Sequence, residues 1–266
     1  VSVFTFKIGV TALLLFLLIS CGDIPRDNPL DPKNSDSYTQ PVVLLEAFVN
    51  YACPGDYSRW AVQSLKAIEQ TYPGRVLVAE YHRNLTNSDY DDPYATKQTS
   101  PKFTQIQDSY ISDGGVPIGV PDVFVNGGLK RVSGASSASS VQDEILPFIN
   151  DLLTQKNYFM LQPQVSLAVG TDTTCQVNCR FARLGNKASN DLKIRLIFIK
   201  DEGLDLLRHR VLDVSLPQAL ETLNAGGYTD VKFEPVALAD IPTSVVVSLL
   251  DSDGKTVIQA VEEVLK

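Results

Sequence analysis

With 266 residues, 44% hydrophobic and 20% charged, the chain has an ordinary globular composition and is long enough for two domains that each bury a core. That balance excludes a largely disordered chain and a polytopic membrane protein. A formal charge of −8, with Lys and Arg scattered singly, argues against nucleic acid or an anionic membrane surface as partner, because such binding rests on clustered cations.

Lys7 precedes an apolar run from Ile8 to Ile19, too short to span a bilayer comfortably as a stable helix. The run ends in Leu18-Ile19-Ser20-Cys21, so charge, apolar core, small residue and Cys follow in order. This segment resembles the signal peptide and lipobox of bacterial lipoproteins. The resemblance implies removal of residues 1–20, acylation of Cys21 and stable anchoring through several acyl chains. Gly22 rather than Asp follows the Cys, which in such lipoproteins permits the outer membrane. A plain secretory signal with a coincidental Cys is the alternative. Residues 21–40 are rich in Asp, Asn, Pro and Ser and read as a disordered tether. Asp27, Asn28, Asp31 and Asp36 lack the glycine-turned loop and terminal Glu of a calcium site.

Residues 41–155 read as the first folded domain. Val42 to Val49 is apolar on both alternating faces, as in a central strand covered on both sides. Trp60, Ala61, Leu65, Ile68 and Tyr72 recur at helical spacing, and the helix stops before Pro73-Gly74. Val76 to Ala79 forms a second, parallel strand. A polar loop from Asn84 to Ser100 leads to a weaker helix over Pro101 to Ile111. Asn126-Gly127, between two short apolar runs, predicts a hairpin, and a last helix covers Ser139 to Thr154.

The order β-α-β, helix, hairpin, helix, with Cys53-Pro54-Gly55-Asp56 five residues past Phe48 and Val120-Pro121 before the hairpin, resembles the thioredoxin-like superfamily. The resemblance implies that Cys53 is the nucleophilic thiol, that it opens the helix, and that Pro121 is a cis-proline lying against it. The resolving cysteine is due three residues on, where Asp56 stands, and a dithiol enzyme needs that second thiolate to release its mixed disulfide. Ala47 occupies a position that is often a buried acid in thioredoxins. At a helix N-terminus the macrodipole favours a thiolate, whereas the charge of Asp56 opposes it. The plainer reading is that Pro54 and Asp56 simply start a helix well.

Beyond a linker near Gln155 to Pro163, the second domain (160–266) alternates at period two. Strands are predicted at 165–169, 175–181, 192–198, 208–214, 231–235, 243–250 and 257–264, with a short helix over Leu216 to Asn224. Asp251-Ser252-Asp253-Gly254 reads as a hairpin turn. About seven short strands argue for an antiparallel, immunoglobulin-like β-sandwich. The expected fold class is therefore α/β plus all-β. Cys175 and Cys179 alternate in phase with Val177 and Phe181, facing the core and beyond disulfide reach along one strand. Two histidines, His82 and His209, give little to complete a zinc site, and no Ser-His-Asp set or phosphate-cradling glycine loop is visible; no cofactor or metal is expected.

A lipobox, a thioredoxin-like domain and a β-sandwich in that order are similar to the twenty-eight-kilodalton outer-membrane-protein family of bacterial lipoproteins. That family commonly carries a Cys-x-x-Cys where this chain has Cys-Pro-Gly-Asp. The resemblance implies an envelope location, lipid-anchored at the outer membrane, and an envelope protein or peptide as partner. Two functions stand first: a binding or structural protein with a degenerate redox site, or a monothiol thiol-disulfide oxidoreductase working through mixed disulfides on Cys53; a third is a dithiol enzyme that borrows Cys175 or Cys179 as resolver.

Overall fold

The structure is a computed structural model that describes residues 28–34, 36–85, 89–111, 119–169 and 173–265; residues 1–20 and Cys21 lie outside these. The first half runs β1 (Val43–Val49), α1 (Tyr57–Thr71), β2 (Val76–His82), α2 (Thr99–Tyr110), β3 (Asp122–Val125), β4 (Lys130–Ser133) and α3 (Ser140–Thr154). β1 pairs with β2 in parallel, Val43 opposite Val76 through Val49 opposite His82, and with β3 antiparallel, Leu45 opposite Val125. β3 and β4 form the hairpin, in which Asn126 and Gly127 take φ of 45° and 71°. Both residues tolerate that left-handed backbone, which suits the twist of the flanking strands.

Every residue of β1 is buried because its two faces meet two different cores. Val43, Leu45, Ala47 and Val49 face α1 and α3 through Ala61, Leu65, Ile68, Val141, Ile145 and Ile149. Leu44 and Phe48 face the other way, against Phe103 and Tyr110 of α2. Each fully buried Val, Leu or Ile side chain among these contributes about 1.5–3 kcal/mol over leaving it in water.

The second half is β5 (Phe159–Val169), β6 (Thr173–Arg183), β7 (Lys193–Lys200), β8 (Arg210–Val214), β9 (Gln218–Ala219), β10 (Tyr228–Lys232), β11 (Val236–Leu238), β12 (Ser244–Leu250) and β13 (Val257–Val264). Among the described residues these are nine strands, not about seven. One layer is a separate antiparallel sheet in which β6 carries β5 on one edge and β10 and β11 on the other. The other layer is not separate: its strands continue into the first half in the order β13-β12-β7-β8-β2-β1-β3-β4. β8 joins β2 in parallel at Glu80 opposite Arg210, where the Glu80 N–H donates to the His209 carbonyl at 2.8 Å. Ile197, Val246 and Ala260 of the second half share a core with Phe48 and Phe103 of the first. The architecture is therefore a mixed α/β sheet, extended by antiparallel strands, with a second antiparallel sheet packed on it.

Three local expectations are corrected. The helix expected over Leu216 to Asn224 is extended chain: β9 pairs with β7, the Leu220 N–H donates to Leu192, and Leu223 bridges Ser189. Leu220 and Leu223 sit in the sandwich core, and Pro217 biases Leu216 away from helix. The strand expected at 231–235 is the end of β10 followed by irregular chain, and β11 begins only at Val236. The linker is shorter than expected, since β5 begins at Phe159. The described part of residues 21–40 also does more than tether. Asn28, Asp31 and Asn34 accept from backbone N–H groups two residues on, and Thr39 exchanges backbone bonds with Asn157 at 2.7 and 3.2 Å. This stretch folds back onto the start of the second half.

Candidate functional site

β1 delivers the chain into a loop, Asn50 to Asp56, organised by one buried side chain. Asn50 is 1% exposed; its Oδ1 accepts from the backbone N–H of Ala52 and Cys53, and its Nδ2 donates to the carbonyls of Arg83 and Tyr90. Its own backbone N–H donates to Ser58 Oγ. The loop holding Cys53 is thereby tied to the end of β2 and to the 89–94 loop.

Cys53 does not open the helix. α1 begins at Tyr57, four residues later, with Asp56 at its N-cap and Gly55 at φ 83° before it. The left-handed Gly55 breaks the helical path, so Pro54 is not a first-turn residue and the macrodipole does not bear on the sulfur as expected. Asp56 caps nothing with its carboxylate; it pairs with exposed Arg59 at 3.4 Å. Burial, then the negative charge of Asp92, push the Cys53 thiol above its ordinary value, against an opposing pull from Arg83. The thiolate is the nucleophile, so this position favours the inert form at neutral pH.

Behind the loop lies a buried polar cluster that the sequence reading passed over. His82 Nδ1 lies 3.0 Å from Asp92 Oδ2, and His82 Nε2 lies 3.9 Å from Glu80 Oε2, all three residues being almost wholly buried. Asp92 also accepts the backbone N–H groups of Tyr51 and Tyr94. The rings of Tyr51 and Tyr94 stand edge-on to the His82 imidazole, at 4.9 and 5.2 Å. Burial opposes charge on His82, but the hydrogen bond to Asp92 and the negative charges of Asp92 and Glu80 outweigh it, and its pKa rises above the usual value. For Asp92, burial is again outweighed by His82 and the backbone donors, and its pKa falls. Both shifts favour the charged pair, and Glu80, opposite Ala47 in the parallel register, supplies a buried acid one strand away from the expected place. The available signal was His82 at the very end of a strand, with Asp92 ten residues on.

The Val120–Pro121 peptide is cis. Pro121 lines an open groove of about 470 Å³ with Tyr57, Val120, Val132, Gly134 and Ala135; Cys53 and Asp56 do not line it. Tyr57 is half exposed and stands edge-on to Trp60 at 5.6 Å. The Pro121 carbonyl accepts from Gly134, whereas the backbone of Val120 makes no hydrogen bond among the described residues.

Cys175 and Cys179 are unpaired and buried in the sandwich core, far from titrating: burial raises them to about 11 and about 12. Among the described residues no cluster of His, Cys, Asp and Glu is arranged to hold a metal ion, and no helix is long and apolar enough to cross a membrane.

No protein-family model matches the chain, and no curated protein matches it. Among solved structures, HBP35 of Porphyromonas gingivalis aligns with a TM-score of 0.59 at 19% identity, covering 85% of this chain and 76% of that one. A protein of Agrobacterium tumefaciens aligns at 0.51 and 19% identity, covering 85% and 96%. At such identity the likeness is one of fold, and the first half of this chain has a thioredoxin-like fold.

Proposed function

We propose that this chain is a lipid-anchored envelope protein of the twenty-eight-kilodalton outer-membrane type, which binds an extended peptide segment of a protein partner without dithiol exchange. The observation that carries the reading is the groove at Pro121. Tyr57, Val132 and Ala135 give it apolar walls, and the Val120 backbone stands there without a hydrogen-bond partner among the described residues. An extended chain could satisfy that backbone while its side chains meet the walls. The cysteines support the same reading, since Cys53 is half-buried and unpaired, and Cys175 and Cys179 are buried elsewhere.

Peptide-array binding tests the groove. Ser133→Trp or Gly134→Trp, which fill it, should abolish binding of the best peptides; unchanged binding rejects the groove. Anchoring is tested by labelled palmitate, which should enter the parent protein and not Cys21→Ala. A second reading, monothiol exchange through Cys53, is favoured by the partial exposure of that residue. Isolation with rapid alkylation decides it: adducts on Cys53 that vanish in Cys53→Ser would displace the binding-only reading.

A further inference from the structure

We propose that a cleft between the N-terminal segment and the β6–β7 turn is a binding site for a phosphate-type oxyanion. The cleft, about 530 Å³, is lined by Lys33, Tyr158, Arg183 and Lys187 among others, and among the described residues no carboxylate lines it. Arg183 is 9% exposed. Its Nη1 donates to the carbonyls of Tyr158 and Leu184, its Nε is buried without an acceptor, and Nη2 makes no hydrogen bond among the described residues. The guanidinium lies against the rings of Phe159 and Tyr158, at 4.6 and 5.5 Å.

A buried cation is costly unless an anion neutralises it, and most buried arginines have a carboxylate. Arg195 in this same protein has Glu46 at 3.0 Å. Arg183 has none among the described residues, in a chain whose net charge is −8. Two further cations, Lys33 and Lys187, reach the same cleft from separate segments, and neither forms an ion pair among the described residues. A planar fork with two flexible ammonium groups matches a multiply charged oxyanion better than a single carboxylate. The flat wall of Tyr158 and the ring of Pro32 leave room for an organic group attached to it.

The phosphate could belong to a free phosphoryl compound or to a lipid headgroup. The second source rests on the anchoring reading, which places residue 33 only 12 residues from Cys21, within about 40 Å of the bilayer surface at full extension. The full-length chain carrying Cys21→Ala serves for both arms, so that no acyl chain contributes. Calorimetric titration with sodium phosphate, against sodium chloride of equal ionic strength, tests the free source. Co-sedimentation with phosphatidylglycerol/phosphatidylcholine vesicles, against phosphatidylcholine alone, tests the headgroup. Lys33→Ala/Lys187→Ala, both exposed positions, should weaken whichever binding is found about tenfold or more. Arg183→Met, checked for folding by circular dichroism, should abolish it. Saturable phosphate heat without vesicle preference assigns the free source; anionic-vesicle binding competed by phosphate assigns the headgroup. Binding in neither arm, or binding that the lysine pair does not change, overturns the site. Failure of palmitate labelling with phosphate binding intact would sink the anchor and leave this site standing.

Discussion

Cys53 has lost two of the aids that would make it reactive. The helix that should begin at its side begins at Tyr57, and the charge nearest in effect is the carboxylate of Asp92. Of Cys53, Cys175 and Cys179, native protein treated with iodoacetamide over a pH series should therefore alkylate at Cys53 alone, with a midpoint above that of an ordinary thiol. Cys175 and Cys179 should react only after denaturation, because burial both hides them and holds them protonated. A Cys53 midpoint below that of free cysteine would mean that a positive field reaches the sulfur in solution.

At the scale of elements, the His82–Asp92 pair pins the 89–94 loop to the end of β2 and so to the loop that carries Cys53. A raised histidine pKa contributes stability that is complete below the unfolded value, near 6.5, and is lost as pH climbs through the folded one. The depressed Asp92 acts oppositely, contributing above its unfolded value and failing as pH falls through the folded one. The pair is thus whole from mildly acid pH to above 6.5. His209 with Glu69 at 3.0 Å is raised in the same direction and adds to the alkaline loss. The melting temperature should fall as pH rises above about 6.5 and through the raised folded values, by about 2–4 °C for each kcal/mol lost. His82→Gln should flatten that slope in part, leaving the share of His209; an unchanged slope would dismiss the pair. The β3–β4 hairpin offers a second check. A Cβ at Gly127 would strike the Lys255 carbonyl, and φ there is 71°. Gly127→Ala should cost about 1–3 kcal/mol in urea unfolding, more than Gly74→Ala, where the added methyl meets nothing.

For the whole molecule, the question is what joins the halves. Glu46 on β1 is fully buried and receives Arg195 of β7, together with the hydroxyls of Tyr81 and Tyr110. Burial disfavours the Arg195 charge, but Glu46 outweighs it and holds the guanidinium firmly protonated. Removing one partner strands the other charge in the core, at a cost of about 3–5 kcal/mol, whereas replacing both is far milder. Glu46→Gln and Arg195→Met should each destabilise by that order, and the double variant by less than their sum. The shared sheet and shared core further predict one calorimetric unfolding transition, not two. Two resolved transitions would show that the single β2–β8 bridge does not couple the halves.

Local patterning was enough for much of the fold. The two-faced apolar run of β1, the helical spacing of Ala61, Leu65 and Ile68, the Asn126-Gly127 turn and the inward phase of Cys175 and Cys179 each depend on residues close in sequence. The absence of a second thiol at position 56 was equally legible, being a matter of residue identity. Long-range pairing was not. The sequence carries no mark that β8 would dock on β2, that Arg195 would find Glu46 across 149 residues, or that His82 would meet Asp92 under the rings of Tyr51 and Tyr94. Lys33, Arg183 and Lys187 looked scattered and became a cleft only once the N-terminal segment lay against the β6–β7 turn. Periodicity and turn chemistry act over a few residues and can be read along the chain; charge pairing and burial act through space, and only the folded arrangement decides them.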